Sequence, residues 1–458
     1  MRGHVRVPGD KSLSHRAALM AALTCGGRVR IENFATSADC ASTLACLAQL
    51  GVAVKRQAAT VEIEGAGLKL PRAAAPLDCG NSGTTMRLLA GLLAGQSFSS
   101  TLTGDESLNT RPMRRIIEPL TQMGARIEAR AGCAPLVIHG RQPLAPITYA
   151  PPIASAQIKS GVLLAGLNAD GRTTVIERTP TRDHTERLLR WFGVEVMTTE
   201  ESAAQTRVDQ AAAEMSATPT GATMKSEASP TGAQAAHISL AGPARLVARD
   251  CILPGDISSA AFFLVAAALL PDSDLTIRDV GLNPTRAQIL ITLNALGADV
   301  RVEAARAQTN EPVGDVRVRG RDQLAPVTPE ANVLRGSQIA ALIDELPVLC
   351  VLGTQVEGGL TIREARELRV KETDRISAMA ANLRALGAEV EEYEDGLSIN
   401  GPVALRGAPL DAYGDHRIAM ACTVAALIAD GASTIVGADS VRISFPEFFV
   451  LLDSVLER

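Results

Sequence analysis

A phrase that recurs along the chain constrains the fold more than any other feature of the sequence. It consists of the end of a leucine-rich helix, a glycine, a small apolar residue and then alternating residues. The phrase reads "LAQLGVAV", "LTQMGARIE", "LLRWFGVEV", "LNALGADVRVE" and "LRALGAEVEE", with its glycines at Gly51, Gly124, Gly193, Gly297 and Gly387. A glycine at this point is typical of a helix C-cap, and the alternation after it is typical of a strand. A unit of roughly 70 residues is therefore repeated, with insertions.

A second phrase, in which a polar cap precedes a helix of small apolar residues, occurs once in each unit. Its versions are "DKSLSHRAALMAAL", "GNSGTTMRLLAGLLAG", "SAQIKSGVLLAGL", "GDISSAAFFLVAAALL", "IDELPVLCVLG" and "GDHRIAMACTVAALIADG". A single unit cannot bury both faces of its helices, so the six units must pack together. We predict an α/β fold of two similar domains, each built from three repeated βαβαββ-type units, with the helices buried in the centres and the sheets outside.

Dividing six units equally sets the predicted domain bounds. The first domain is expected to cover 10–252 and the second 253–458, with residues 1–9 joining the second. Residues from about 200 to 236 exceed the repeat and are rich in Ala, Thr, Ser and Gly. Such a composition buries too little apolar surface to offset chain entropy, which predicts a flexible surface insertion. A shorter polar insertion runs from Ala304 to Pro312.

Charge and hydropathy exclude several classes of protein. The formal net charge of −5 argues against a general affinity for nucleic acid or anionic membranes. The longest apolar run, Ala260 to Leu270, has 11 residues, and a membrane span needs about 20. The eight cysteines are scattered without zinc-site spacing, and the first residues lack the order of a signal peptide. We therefore expect a soluble cytoplasmic protein that binds no metal.

Cations cluster at the predicted helix caps, where free backbone N–H groups already attract anions. The caps carry Lys11, Arg16, Arg87, Lys159 and Arg417, and loops add Arg111, Arg182, Lys371 and Arg375. In a chain of net negative charge, this set indicates a pocket for more than one anion. The alternative is that each cation lies separately on the surface, which is least convincing for Arg87 among its small and apolar neighbours. No segment matches the phosphate loop of nucleoside triphosphatases.

The stretch "LRVKETDRI", from Leu368 to Ile376, mixes charges of both signs. Such a run is often a solvated helix face that contributes little to stability. Its position in the fifth unit, after "IDELP", favours a wall of the anion pocket instead. If the stretch is helical, Lys371 and Arg375 share a face, with Glu372 one step round the helix.

Motifs along nearly the whole chain resemble those of the 5-enolpyruvylshikimate-3-phosphate synthase family. In order they are "VPGDKSLSHRA", "GNSGTTMRLLAG", "GDESLNTRPM", "SAQIKSGVLLAGL", "TRDHTERLL", "PGDISSAAFFL", "NPTR", "IDELP", "RVKETDRI", "GDHRIAM" and "SFPEFF". The resemblance implies an inside-out α/β barrel whose site lies between two domains. It also implies transfer of the enolpyruvyl group of phosphoenolpyruvate to the 5-hydroxyl of shikimate 3-phosphate, in aromatic amino acid biosynthesis, by a monomer without cofactor or metal.

The resemblance also assigns site residues. For shikimate 3-phosphate it implies Lys11, Ser12, Arg16, Ser155, Ala156, Gln157, Arg182, Asp344 and Lys371. For phosphoenolpyruvate it implies Lys11, Gly83, Arg111, Gln157, Arg375 and Arg417, with Asn81 and Thr84 beside them. The first-principles chemistry asks for a base near the attacking hydroxyl and an acid near the methylene carbon. Asp344 is the predicted base, and the acid is either Glu372 or Lys11, since cations beside Glu372 favour its carboxylate form.

Two other functions remain open. An enolpyruvyl transferase acting on UDP-N-acetylglucosamine shares the architecture but carries a cysteine in a mobile loop. The corresponding loop here, "GDESLNTRPM", has none. The second alternative is a repeat protein that binds a ligand without catalysis. Its helix caps would be interchangeable, and this function would not explain why Asp344 and Glu372 lie among cations.

Overall fold

The computed structural model describes residues 1–200 and 235–457. Positions 201–234 of the predicted flexible insertion lie outside the described residues. The strands on either side of that segment, Val196–Glu200 and Ala236–Gly242, pair with each other antiparallel.

Strands and helices alternate along the chain in the repeated order that the sequence predicts. The strands are β1 (Arg2–Val5), β2 (Arg28–Glu32), β3 (Val54–Gln57), β4 (Thr60–Glu64), β5 (Leu77–Asp78), β6 (Ser99–Thr103), β7 (Arg126–Arg130), β8 (Cys133–His139), β9 (Thr148–Tyr149), β10 (Gly171–Glu177), β11 (Val196–Glu200), β12 (Ala236–Gly242), β13 (Cys251–Ile252), β14 (Asp274–Gly281), β15 (Asp299–Gln308), β16 (Glu311–Arg319), β17 (Val333–Leu334), β18 (Leu360–Ile362), β19 (Val390–Tyr393), β20 (Gly396–Ile399), β21 (Pro409–Asp411) and β22 (Thr434–Val436). The α-helices are α1 (Lys11–Ala22), α2 (Ala38–Gln49), α3 (Gly83–Ala94), α4 (Glu106–Thr110), α5 (Arg114–Gln122), α6 (Ala156–Gly166), α7 (His184–Trp191), α8 (Ile257–Leu269), α9 (Gln288–Ala295), α10 (Ser337–Leu342), α11 (Leu346–Gly353), α12 (Arg375–Ala385), α13 (His416–Ile428) and α14 (Phe448–Val455). Short 3-10 helices cover Pro329–Asn332, Arg366–Val370 and Ala438–Ile443.

Each sheet takes most of its strands from one unit. The strand orders are β13-β2-β4-β3, β5-β6-β8-β7 and β9-β10-β12-β11, then β1-β14-β16-β15, β17-β18-β20-β19 and the shorter β21-β22. In each sheet the first two strands are parallel, and in the four-stranded sheets the remaining pairs are antiparallel. The five glycines of the recurring phrase all have positive φ, between 75° and 102°, which confirms their role as helix C-caps.

The chain crosses twice between the two domains. Strand β1 precedes α1 of the first domain but pairs with β14 of the second, with Arg2 opposite Asp274. In exchange, β13 pairs with β2 of the first domain, with Cys251 opposite Ile31. The crossovers meet at a bridge between Gly9 and Gly255. A side chain at Gly9 would place its Cβ 1.6 Å from the carbonyl oxygen of Asn33, so this approach needs glycine.

Two separate hydrophobic cores form around the small-residue helices. One contains buried residues from Leu13 to Leu253, and the other joins Met1, Val5 and Val7 to residues from Ile257 to Val455. Helices rich in alanine and glycine pack closely because their side chains leave room for direct backbone approach. A Cβ at Gly91 of α3, for example, would lie 2.2 Å from a carbonyl oxygen of α6. The predicted bounds at 10–252 and 253–458 stay a proposal, and Leu253 packs in the first core.

No helix in the described part of the chain is both long and apolar enough to cross a membrane.

The stretch "LRVKETDRI" is not one continuous helix. A 3-10 helix ends at Val370, and α12 begins only at Arg375. The break has a local cause, because the Asp374 side chain accepts hydrogen bonds from the backbone N–H groups of Ile376 and Ser377 and so caps the new helix. Lys371 and Arg375 therefore do not share a helix face.

Candidate active site

Asp344 lies at the centre of a group of cations from both domains. Its carboxylate accepts a 2.5 Å hydrogen bond from Arg182 of the first domain. Two arginines of the second domain approach the other oxygen, Arg417 at 3.4 Å and Arg375 at 3.7 Å. Burial alone would raise the pKa of Asp344, but Arg417 and Arg182 hold it well below its usual value. The side chain is still 18% exposed, so a charged and partly exposed carboxylate lies where the two domains meet.

Arg375 is fixed by carboxylates of its own domain. Its guanidinium donates 2.7 Å hydrogen bonds to Asp415 and to Glu372. Arg111 of the first domain lies 3.7 Å from the other oxygen of Glu372. Burial opposes ionisation of Glu372, but Arg375, His416 and Arg111 outweigh it and lower its pKa. Glu372 is therefore a carboxylate at rest, as the sequence analysis expects from its neighbours.

Lys11, the first residue of α1, lies close enough to Arg417 and Glu372 of the second domain to feel their charges. Its ammonium group donates a 2.9 Å hydrogen bond to Asp39, and its side chain is 20% exposed. Burial alone would lower the pKa of Lys11, but the Asp39 carboxylate outweighs burial and raises it. Lys11 is accordingly a fully charged group near neutral pH.

Arg16 is 2% exposed, and its hydrogen bonds go to neutral oxygens. It donates to Thr185 at 2.7 Å, Ser160 at 2.9 Å and the carbonyl of Ser12 at 2.8 Å. Among the described residues, no carboxylate lies within 4 Å of it. Burial, and next the nearby Arg182, lower the pKa of Arg16 to about 10. A buried cation of this kind is stabilised by any anion that binds beside it.

The helix caps of the second and third units meet at a second cation of this type. Arg87 donates a 2.7 Å hydrogen bond to the side-chain oxygen of Gln157, and the Gln157 amide donates to Thr84 at 2.9 Å. Arg87 is therefore bonded to a neutral amide. Burial and then Arg111 lower the pKa of Arg87 to about 10. A Cβ at Gly83 would lie 2.7 Å from Arg87, so the cap has little room for a side chain there.

The remaining predicted residues surround these groups. Ser155 caps α6 through a hydrogen bond from Ile158, and Ala156 and Gln157 open that helix. Ser12 lies 3.4 Å from Arg182, and Asn81 accepts a 2.7 Å hydrogen bond from Arg111. Lys371 binds Glu367 at 2.7 Å and is 24% exposed, so it stands at the rim.

Sequence reasoning missed the residues that hold the cations in place. Asp415 is fully buried against Arg375, and its only signal is its place before Arg417 in "GDHRIAM". Asp39 lies in a helix without any distinctive motif. His416 is 2% exposed and neither of its ring nitrogens has a hydrogen-bond partner among the described residues. Over the described ranges 1–200 and 235–457, no cluster of His, Cys, Asp and Glu has the arrangement of a metal site.

Comparison with known sequences places these residues in a family context. The model of the family described as EPSP synthase (3-phosphoshikimate 1-carboxyvinyltransferase) matches residues 1–216 and 205–452. A 3-phosphoshikimate 1-carboxyvinyltransferase of Salinibacter ruber is 49% identical over 99% of this chain and 97% of the relative. One from Geobacillus kaustophilus is 46% identical over 100% of this chain and 98% of the relative.

Solved structures agree with the sequence comparisons. The EPSP synthase of Acinetobacter baumannii superimposes with a TM-score of 0.82 at 39% identity, covering 99% of this chain and 95% of that one. The enolpyruvyl transferase NikO of Streptomyces tendae gives a TM-score of 0.72 at 20% identity, covering 99% and 94%, and shows a shared fold.

Proposed function

The chain belongs to the EPSP synthase family, and from that premise we propose the roles of its site residues. The reaction transfers the enolpyruvyl group of phosphoenolpyruvate to the 5-hydroxyl of shikimate 3-phosphate and releases phosphate, within aromatic amino acid biosynthesis. The alternative with a UDP-amino sugar is not favoured, and neither is a repeat protein without catalysis.

One observation carries the assignment of residues. Arg16 and Arg87 are cations whose hydrogen bonds go to neutral groups, and each lies near a second arginine that adds to its positive field. Positive charge without a directly bonded carboxylate favours the entry of anions. The two substrates bring phosphate and carboxylate groups, which charge-assisted hydrogen bonds hold well.

Shikimate 3-phosphate is assigned to the first-domain side of the site. The residues proposed to hold it are Lys11, Ser12, Arg16, Ser155, Ala156, Gln157, Arg182, Asp344 and Lys371. Of these, Ser12 contacts both Arg16, through its carbonyl, and Arg182, through its hydroxyl. Phosphoenolpyruvate is assigned to the cations where the domains meet, with Lys11, Gly83, Arg111, Gln157, Arg375 and Arg417. Arg375 keeps one buried terminal nitrogen without a hydrogen bond among the described residues, which leaves a donor for the ligand.

Asp344 is the proposed base. Its lowered pKa keeps it ionised, so it can accept the proton of the 5-hydroxyl as that oxygen bonds to the enol carbon. The methylene carbon takes a proton in the same addition. Loss of phosphate and of one methyl proton then restores the double bond on the product. The proton donor is Lys11, which is charged at rest, or Glu372, which must first gain a proton.

Phosphate release from the purified protein tests this function. With shikimate 3-phosphate and phosphoenolpyruvate together, we expect release that depends on both substrates. Replacing shikimate 3-phosphate by UDP-N-acetylglucosamine should abolish it. Release with the UDP-sugar alone as acceptor would overturn the proposal. The monomeric state and the cytoplasmic location stay predictions.

A further inference from the structure

The hairpin of β15 and β16 extends from the second domain to the first. Its end consists of the polar insertion that the sequence analysis places at Ala304 to Pro312. At the turn, the Thr309 hydroxyl donates to the carbonyl of Ile252 at 2.9 Å and accepts from its N–H at 3.0 Å. Ile252 belongs to β13, which is paired with the first domain's sheet. The insertion is therefore an arm that reaches the neighbouring domain.

Glu311, at the start of β16, is the buried group at the end of this arm. Its side chain is 1% exposed, and one oxygen lies 2.9 Å from Nδ1 of His184 in the first domain. The other oxygen accepts a 2.8 Å hydrogen bond from Asn283 of the second domain. Asn283 also donates to Asp183 at 2.6 Å. The neighbouring Asn310 accepts a hydrogen bond from Arg187 at 3.1 Å through its carbonyl.

These contacts hold the peptide that carries Arg182. Asp183 and His184 follow Arg182 directly, and α7 begins at His184. On its other face, α7 is held within the first domain, where Glu186 binds Lys159 at 2.7 Å. The position of Arg182 therefore depends on contacts from both domains.

We propose that Glu311 is a positioning residue that acts through Asp183 and His184 to place Arg182 for shikimate 3-phosphate. A carboxylate buried to this degree is stable only with its donors in place, and one of those donors belongs to the other domain. The contact between Glu311 and His184 thus forms only in this arrangement of the two domains. Binding of shikimate 3-phosphate by Arg182 therefore depends on that arrangement. The inference rests on the proposed role of Arg182 as a ligand of shikimate 3-phosphate.

Steady-state kinetics of Glu311→Ala provides the test, with Glu303→Ala as the matched control. Glu303 lies on the same hairpin but is exposed. We expect Glu311→Ala to raise the KM for shikimate 3-phosphate about tenfold, a cost typical of one lost charged contact. The kcat and the KM for phosphoenolpyruvate should stay within about twofold of the wild type, and the control should match the wild type. Glu311→Gln keeps the side-chain volume and one acceptor oxygen, so it should raise the KM for shikimate 3-phosphate less than Glu311→Ala does. It replaces Glu311→Ala in the test if the alanine variant fails to fold.

A double-mutant cycle separates positioning from general structural damage. In an Arg182→Ala background, Glu311→Ala should change the KM for shikimate 3-phosphate no further. If the two substitutions raised this KM independently, so that their effects multiplied, the inference would be overturned. An unchanged KM in Glu311→Ala would also overturn it, and so would changes of similar size in kcat and in both KM values. If Arg182→Ala leaves this KM unchanged, the proposed role of Arg182 fails and the inference fails with it. If Arg182→Ala raises the KM and Glu311→Ala does not, only the inference fails.

Discussion

Arg16 of the first domain and Arg375 of the second are each 2% exposed, yet their surroundings differ. Arg375 lies against two carboxylates of its own domain, Asp415 and Glu372. Arg16 bonds to hydroxyl and carbonyl oxygens and has no carboxylate within 4 Å among the described residues. Arg375 is paired directly with carboxylates, whereas only the more distant carboxylates of Glu186 and Asp10 act on Arg16. Arg375 is thus held by its own domain, and Arg16 offers positive charge to an incoming anion.

Asp344 lies between Arg182 of the first domain and Arg375 and Arg417 of the second, so its removal should have the largest effect. In Asp344→Asn we expect kcat to fall by roughly 10² to 10⁴, the range for loss of a general base. Shikimate 3-phosphate should still bind, because the cations remain. Turnover and calorimetric binding measure the two effects. Asp322→Asn, at an exposed position, is the control, and survival of turnover in Asp344→Asn would show that the base lies elsewhere.

Arg375→Met should lower the free energy of unfolding, because Arg375 pairs with carboxylates inside the second domain. The change strands the fully buried Asp415 without its cation, and breaking a buried pair costs about 3–5 kcal/mol. Urea unfolding should show this as a lower midpoint for the second domain. Arg384 lies on the same helix, and its side chain is 47% exposed. The control Arg384→Met should therefore change the free energy of unfolding by less than about 0.5 kcal/mol. Equal midpoints for the two variants would mean that Asp415 does not need Arg375.

His416 should make the second domain sensitive to moderate acid. Burial lowers its pKa to about 4, whereas in the unfolded chain the value is about 6.5. The unfolded state therefore binds more protons between these values, so the stability that neutral His416 provides is present above pH 6.5 and is lost as pH falls toward 4. Between pH 6.5 and 5, we expect a loss of about 1–2 kcal/mol that His416→Phe abolishes.

Urea unfolding at the two pH values measures this loss. His4→Phe, at an exposed site, should keep the wild-type dependence. If His416→Phe kept that dependence as well, burial of His416 would not be its source.

The repeat made the architecture predictable, because each glycine C-cap and each small-residue helix marks one unit locally. The stretch "LRVKETDRI" is not one helix because a single carboxylate, Asp374, offers the backbone N–H groups a cap in the middle of the run. Cations of the site were visible since they stand at helix caps. Their partners Asp39 and Asp415 were not, because pairing across distant segments leaves no local pattern. The same holds for Glu311, whose contacts depend on how the two domains meet.

We propose that Arg16 receives its counter-charge from shikimate 3-phosphate. Calorimetric titration of this ligand into the wild type and Arg16→Met tests it directly. We predict that the substitution weakens binding by roughly 1.5–3 kcal/mol, as for loss of a hydrogen bond to a charged group. Without ligand, its urea midpoint should stay close to that of the wild type, because no carboxylate is stranded. Unchanged affinity together with a large loss of unliganded stability would show that Arg16 is a structural cation like Arg375, and would contradict the account.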